Sequence, residues 1–280
     1  MTVLSELRGR ISGARIGAMV LRYLYLLRSS WPRVLDLIYW PTVQMVTWGF
    51  IQSYVSQAGI HGGGTPGVLA VGASTLIGAV MLWDVLFRSQ LGFSMSFLEE
   101  MYSRNLGNLL MSPLRPLELV AALALMSLIR LFIGVIPVTF LAILFFGFNL
   151  WELGFAVAAF FANLVLTSWA VGLVVAGLLL RNGLGAEALA WSLMFLLLPL
   201  ACVYYPVAVL PGWMHVVAWA LPPTYVFEGL RAALIEHHFR ADLMIEAFAL
   251  NVGFFGLGLT AFLLLLGSAR RAGTLLQLGE

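Results

Sequence analysis

Residues 119–146 read LVAALALMSLIRLFIGVIPVTFLAILFF, and Arg130 is the one charged residue among them. A helix needs about 20 consecutive apolar residues to cross the hydrocarbon core of a bilayer, and this stretch exceeds that length. Strands of a membrane β-barrel are about ten residues long and alternate apolar with polar positions, which this stretch does not do. The segment therefore predicts a membrane-spanning α-helix.

Five further apolar segments carry the same signal on either side of it. Of the 280 residues, 61% are hydrophobic and 10% are charged, whereas soluble domains are usually about 45–50% apolar and about 25% charged. Because so few charges cannot cover a water-exposed surface, most of the chain must face lipid or other helices. We predict an all-α integral membrane protein in which residues 34–280 form a single transmembrane domain. Its six predicted spans are about 34–55, 68–87, 119–146, 153–180, 188–205 and 247–267.

The distribution of arginine predicts the orientation. All 15 basic residues are arginines, and basic residues concentrate in the cytoplasmic loops of membrane proteins. If both termini are cytoplasmic, Arg231 and Arg240 lie outside, Arg130 lies in a span, and the other twelve lie inside. We therefore expect six spans with both termini cytoplasmic. The expected location is the inner (cytoplasmic) membrane of the cell. A Walker A motif requires a lysine, so any ATP must be bound by a partner.

Residues 1–33 are predicted to form a cytoplasmic segment at the membrane interface, with a helix over residues 13–30. One face of this helix is apolar. It comprises Ile16, Val20, Tyr23, Leu24 and Leu27. Arg8, Arg15 and Arg22 recur every seven residues along a different face. Such a helix lies in the headgroup plane with its arginines toward lipid phosphates. The alternative is an ordinary solvated tail.

The inner connection between the second and third predicted spans contains a short amphipathic pattern. Residues 97–105 predict a short helix in which Glu100 and Arg104 stand four residues apart in the favourable order. Pro113 and Pro116 then redirect the chain into the third span. A short amphipathic helix held beside the membrane is suited to docking in a groove of a cytosolic partner. The alternative is a membrane-surface helix without a partner.

The outer connection between the fifth and sixth predicted spans is too apolar for a solvated loop and is broken by prolines. We predict two short helices that dip into the outer leaflet, where protein or a cavity must satisfy the backbone. Aromatic residues of this connection anchor it at headgroup level or line an exit gate. They are Tyr204, Tyr205, Trp213, Trp219 and Tyr225.

Arg130 needs an account of its own because a charge deep in a span is costly unless it is paired or hydrated. One interpretation is that Arg130 lines a water-filled pathway or binds an anionic headgroup. The other is a structural ion pair, for instance with Asp84 near the inner end of the second span.

No residue pattern indicates covalent chemistry. His237 and His238 are adjacent and would point about 100° apart on a helix, which suits a metal site poorly. We find no nucleophile or metal site for hydrolysis, and we expect a protein that is not an enzyme and has no cofactor of its own. The net charge of +2 gives no indication of binding to nucleic acid. An ion-coupled secondary transporter is an alternative. Such a transporter would require several carboxylates deep in the spans, and this sequence offers almost none.

Several short stretches, in this order and spacing, resemble the permeases of the type-2 ABC exporter family, whose members export drugs, lipids or polysaccharides. They are LDLIYWP at residues 35–41 with WGF at 48–50, the inner helix and Ser-Pro from Glu99 to Pro113, Leu210-Pro211, Pro223-Thr224, and Glu-Gly-x-Arg at 228–231. The resemblance extends over nearly the whole chain.

The resemblance implies that the inner helix is a coupling helix for a separate ATPase. The candidate coupling residues are Glu99, Glu100, Met101, Tyr102, Arg104 and Asn105. It also implies a short hairpin in the outer leaflet after the fifth span. The candidate gate residues of this hairpin are Tyr204, Tyr205, Pro206, Pro211, Trp213, Glu228 and Arg231.

On this interpretation the chain is the permease subunit of an ATP-powered exporter. It is expected to form the substrate pathway as a dimer, with a homodimer favoured over a heterodimer. Two copies of a cytosolic ABC ATPase would bind ATP and Mg²⁺ and drive the permease. The expected substrate is an amphipathic drug, a lipid or a lipid-linked glycan.

Overall fold

The computed structural model describes residues 11–61 and 66–272, which form α-helices and short 3₁₀ turns without a β-strand. The helices are α1 (Gly13–Arg28), α2 (Trp31–His61), α3 (Pro66–Tyr102), α4 (Leu106–Met111), α5 (Pro116–Phe146), α6 (Phe155–Asn182), α7 (Leu189–Leu200), α8 (Gly212–Trp219), α9 (Pro222–Ile235) and α10 (Ala241–Ala272). The 3₁₀ turns are Leu150–Leu153, Gly183–Ala186 and Val207–Val209.

Four helices of the described chain are long and apolar enough to cross a membrane. They are Thr75–Tyr102 within α3, Pro116–Phe146, Phe155–Ala186 and Ala241–Arg271. They coincide with the second, third, fourth and sixth predicted spans, so the prediction of an all-helical protein with several apolar membrane helices is confirmed. The first predicted span lies in α2, which has 31 residues but is more polar. The fifth lies in α7, a helix of 12 residues.

Helix α3 occupies the centre of the arrangement and packs against α2, α5 and α6. Its close approach to α5 depends on Gly92, where an added Cβ would lie 3.1 Å from the Cα of Ser127. Small residues allow two backbones to come near each other in membrane proteins, where helix association relies on van der Waals contact. The most apolar part of α3 is accordingly 83% buried, against 28% for that of α10, so α10 exposes most of its surface.

Helices α6 and α10 pack along each other, with a polar cluster at one level of the contact. Asn251 donates from Nδ2 to the backbone oxygen of Asn163 at 2.9 Å and accepts from the hydroxyl of Thr167 at 2.6 Å. Elsewhere Gly258 lies against the backbone of Ala170. The pairing of α6 with α10 is therefore held by amide hydrogen bonds at one point and close backbone contact at another.

We expect Gly258→Ala to destabilise the protein by about 1–3 kcal/mol, the usual cost of overpacking a well-packed contact. An added Cβ would lie 2.6 Å from the carbonyl oxygen of Ala170, so a backbone must move. Gly256→Ala is the matched control in the same helix, because nothing lies within 4 Å of the Cβ that it adds. Thermal unfolding of both variants in one detergent checks this, and equal midpoints would contradict the close contact.

The prediction of a separate short helix at residues 97–105 is wrong. Residues 97–102 continue α3, and the helix breaks only at Ser103, with Arg104 at a φ of 51° before α4 begins. The second span was predicted to end at about residue 87, immediately before Arg88. In the structure Arg88 is neutralised by Asp84 one turn earlier, with 2.7 Å between Nε and Oδ2, so this charge does not end the helix.

The suggested pair between Arg130 and Asp84 is also wrong. Asp84 binds Arg88, and Arg130 binds Glu99 with its Nη2 2.9 Å from Oε1. The reason is the continuation of α3, which carries Glu99 to the level of Arg130 on α5. Arg130, which the sequence placed within a span, therefore contacts Glu99, which the sequence placed in the cytosolic connection.

Helix α1 packs against α5 and buries Met19, Tyr23 and Leu27. Two of its arginines, expected to face lipid phosphates, instead bind carboxylates of the protein. Arg15 contacts Glu118 and Arg22 contacts Glu100. The third arginine of the predicted series, Arg8, lies outside the described residues.

Candidate functional site

A cavity of about 440 Å³ lies between α2, α3 and α5, beside the end of α1 and the start of α7. Its apolar wall includes Leu27, Pro32, Leu37, Leu91, Met95 and Trp191. Its charged residues are Arg33, Asp36, Arg88, Glu99 and Arg130. Pockets that bind small amphipathic molecules combine an apolar lining with a few polar groups in this way, and typically measure about 300–1,000 Å³.

Glu99 stands at the centre of the charged side of this cavity and is shared by two arginines. Arg130 donates from Nη2 to both carboxylate oxygens, at 2.9 and 3.0 Å. Arg33 of α2 approaches Oε1 with its Nη1 at 3.4 Å. One carboxylate of α3 thus joins α2 and α5 through their arginines.

Arg130 is 7% exposed, and its Nε is buried without a hydrogen-bond partner. It follows Pro116, the first residue of α5, by fourteen positions, or about 21 Å at helical rise. Its charge is therefore deep in the helix bundle but borders a cavity, as expected for charged residues in membrane helices. The sequence identified Arg130 as a pathway or buried-charge candidate, but it could not identify the partner.

A second carboxylate, Glu100, points to a different side of α3 from Glu99 and is fully buried. It binds the guanidinium of Arg22 and accepts from Nδ2 of Asn105 at 2.9 Å. Tyr23 lies beside it, and burial, aided by the charge of Glu100, raises the pKa of Tyr23 above its ordinary value. This phenol remains neutral and belongs to the packing of α1.

A third carboxylate, Glu118, fixes the other end of α1. It accepts from the backbone N–H of Ser12 at 2.8 Å and from Nε of Arg15 at 2.8 Å. Its own helix contributes the backbone N–H of Arg115 at 3.0 Å. Because Glu118 is fully buried, these donors provide the compensation that a buried carboxylate requires. Helix α1 is thereby joined to both α3 and α5.

Some of the predicted coupling residues face the interior of the protein, and others are exposed on its surface. Glu100 and Met101 are buried, and Glu99 faces the cavity. Tyr102 also borders the cavity but is 52% exposed, and Arg104 is exposed. Sequence reasoning did not include Met111, which follows in α4 and is 80% exposed. We call Tyr102, Arg104 and Met111 the connection surface.

The Glu-Gly-x-Arg pattern in α9 holds the turn that follows α7. Arg231 donates from Nη2 to the carbonyl oxygen of Cys202, and to that of Tyr205 at 2.5 Å. Glu228 accepts from the backbone N–H of Val207 at 2.7 Å and lies 3.2 Å from Arg231. These carbonyl groups lie in the turn beyond the last residue of α7, and the guanidinium supplies donors for them.

Gly229 of the same pattern serves the packing of α9 on α10, since an added Cβ would lie 2.8 Å from Cε of Met244. The pattern therefore has two structural tasks. Its charged residues fix the turn, and its glycine allows a neighbouring helix to approach.

The aromatic residues of the predicted gate differ in their contacts. Tyr204 stacks on Trp48 of α2 with 4.7 Å between ring centroids, and the hydroxyl of Tyr205 donates to the carbonyl of Pro199 at 2.7 Å. Pro206 and Pro211 precede the 3₁₀ turn and α8. Trp213 is 72% exposed. The turn is thus tied to α2 and α7, whereas Trp213 projects from α8.

Comparison with families of known proteins agrees with this architecture. Residues 25–235 match the family model described as ABC-2 type transporter, which covers three quarters of the chain. A comparison with curated proteins found no match. The matched residues include the cavity, the connection surface and the Glu-Gly-x-Arg turn. This chain therefore belongs to the ABC-2 type transporter family, whose members are non-catalytic membrane permease subunits that work with a separate ATPase subunit.

Proposed function

We propose that this chain is the permease subunit of an ATP-powered exporter that moves amphipathic molecules from the inner side of the membrane to the outer leaflet. Family membership carries the proposal, and it favours this function over ion-coupled secondary transport. The cavity beside Glu99 supports it, because an apolar wall with a few charges suits a molecule with an apolar body and a polar head.

The proposed topology has six spans with both termini cytoplasmic, in the inner membrane of the cell. Helix α2 is about 46 Å long at helical rise, enough to cross the hydrocarbon core in spite of its polar residues. Helix α7 is only about 18 Å long. It would cross in combination with the turn held by Arg231, and α8 and α9 would lie at the outer leaflet.

Helix α3 is the proposed link between the ATPase and the cavity. It is about 56 Å long and exceeds the core of a bilayer, which is about 30 Å thick. Its last turn carries both Glu99, which faces the cavity, and Tyr102, which belongs to the connection surface. A displacement of this surface by the ATPase would therefore move Glu99 relative to Arg130.

In the proposed cycle two cytosolic ATPase subunits bind ATP and Mg²⁺ and close, which displaces the connection surfaces of two permease copies. The α-helical bundles tilt, and the pathway between the copies opens toward the outer leaflet. A homodimer is the simplest assembly for a single permease chain. The outer turn and α8 would form the exit.

Copurification and reconstitution test this function. The tagged protein, extracted from its own cells in mild detergent, is expected to retain an ATPase subunit with a Walker A lysine, which this chain lacks. Liposomes holding both subunits are expected to hydrolyse ATP faster when a transported amphiphile is added. Transport driven by an ion gradient, without the ATPase, would instead identify a secondary transporter.

A further inference from the structure

The charged side of the cavity holds a carboxylate in a position that a ligand could take. Glu99 occupies donors of Arg130 and Arg33, which come from two different helices. Arg88 also lines the cavity, but it is paired with Asp84 on its own helix. The charges left to meet a ligand are those of Arg33 and Arg130, against the carboxylates of Glu99 and Asp36. Removing Glu99 from this set leaves an excess of one positive charge.

The arginines are only partly satisfied by Glu99. The Nε of Arg130 is buried without a hydrogen-bond partner, although the residue borders the cavity. The contact between Arg33 and Glu99 is long, at 3.4 Å. A guanidinium presents its N–H groups as a planar fork that matches the oxygens of a phosphate or carboxylate. Glu99 therefore leaves part of the hydrogen-bonding capacity of these two guanidinium groups unused.

The rest of the cavity is suited to an apolar chain. Leu27, Leu37, Leu91 and Met95 line it, and Trp191 of α7 stands on its wall. Its volume of about 440 Å³ exceeds what a phosphate group alone would fill. A headgroup on the arginines would therefore leave space for the first part of an attached hydrocarbon chain.

We propose that this cavity binds the anionic head of an amphipathic molecule, and that the head competes with Glu99 for Arg130 and Arg33. The inference rests on the proposed export function and specifies its substrate class, a phosphate-bearing or similarly charged amphiphile. Glu99 is one helical turn from Tyr102 on α3, so its release by the ligand would loosen the end of α3 beside the connection surface. Binding of a ligand in the cavity would then change the conformation of the connection surface that contacts the ATPase.

Binding of radiolabelled dodecyl phosphate to the purified full-length permease, in dodecyl maltoside, tests the proposal directly. Saturable binding that unlabelled dodecyl phosphate displaces is expected. Dodecyltrimethylammonium has the same chain with a cationic head and should not displace it. Inorganic phosphate at equal concentration should not displace it either, because it lacks the chain. Displacement by either competitor, or unsaturable binding, would overturn the inference.

Substitutions of the competing carboxylate give the sharpest result. Glu99→Gln keeps the shape and removes the charge, so dodecyl phosphate is expected to bind about tenfold more tightly, as when one charge-assisted competitor is lost. Adding Arg130→Gln to this variant should reverse the gain by about tenfold or more. The double variant leaves no unpaired buried charge at this pair, and thermal unfolding verifies that it folds.

Arg240→Gln serves as the control because Arg240 is exposed and pairs with Asp242, away from the cavity. Its binding should equal that of the unchanged protein. A merely structural pair of Glu99 and Arg130 would weaken binding or leave it unchanged in Glu99→Gln, and either result would overturn the competition. Retention of an ATPase subunit does not depend on dodecyl phosphate, so the export function can stand where this inference fails.

Discussion

Replacement of Arg231 by leucine is expected to destabilise the protein by about 3–5 kcal/mol, the usual cost of removing one partner of a buried ion pair. The side chain of Arg231 is 12% exposed and lies 3.2 Å from Glu228. Its loss also removes the donor for the carbonyl oxygens of Cys202 and Tyr205. Burial lowers the pKa of Arg231 from its ordinary value, but a guanidinium stays charged at neutral pH.

Chemical unfolding in mixed detergent micelles measures this loss as a fall in the midpoint. Arg231→Lys should recover only part of it, because lysine keeps the charge but lacks the planar fork that reaches two carbonyls. Arg240→Leu is the matched control, since the pair of Arg240 with Asp242 is exposed to solvent, and little change is expected. If Arg231→Leu were as stable as this control, the turn after α7 would not depend on the guanidinium.

The second large effect is expected at the connection surface. Arg104→Asn combined with Met111→Ser should abolish substrate-stimulated ATP hydrolysis while thermal stability stays unchanged. Both side chains are exposed, so they contribute little to the fold. Arg104 has a φ of 51°, and asparagine tolerates this left-handed conformation. Loss of one interface hot spot, at about 2 kcal/mol, would weaken binding of the ATPase about 30-fold.

Titration of the purified permease with its ATPase subunit gives the affinity, and hydrolysis in liposomes gives the coupling. Arg240→Asn with Trp151→Ser forms the control pair, because these residues are exposed and lie in other connections. Full stimulation in the Arg104 and Met111 variant would remove this surface from the ATPase contact. The site would then have to be sought at another exposed part of the chain.

The amino-acid sequence predicts where the candidate regions lie better than it predicts the direction in which their side chains point. Glu99 and Glu100 were both assigned to a face for the ATPase, yet Glu99 faces the cavity and Glu100 is buried against α1. Adjacent residues on a helix point about 100° apart, so they cannot share a partner. One feature of the sequence could have indicated the role of Glu100. Helix α1 is rich in arginine, and these arginines need carboxylate partners once the helix packs against its neighbours.

The gate region shows the same limit. The Glu-Gly-x-Arg pattern was recognised as a motif, but its contacts with the turn after α7 span more than twenty residues of sequence. Local propensity contains no information about such contacts, because they depend on how α9 is placed against α7. The sequence pattern predicted that Glu228 and Arg231 belong to a functional region, but it did not predict which backbone groups they bind.

The amino-acid sequence by itself determined that this protein is helical and lies in a membrane. Apolar runs of about 20 residues with almost no charge match the length of a helix that crosses the hydrocarbon core of a bilayer. It also determined the family, through short motifs in a fixed order. Only the tertiary structure decided where α3 ends and which carboxylate each buried arginine binds. A charged residue can lie within a membrane helix when an oppositely charged side chain is close enough to pair with it. Which side chain is close enough depends on how the helices pack against one another.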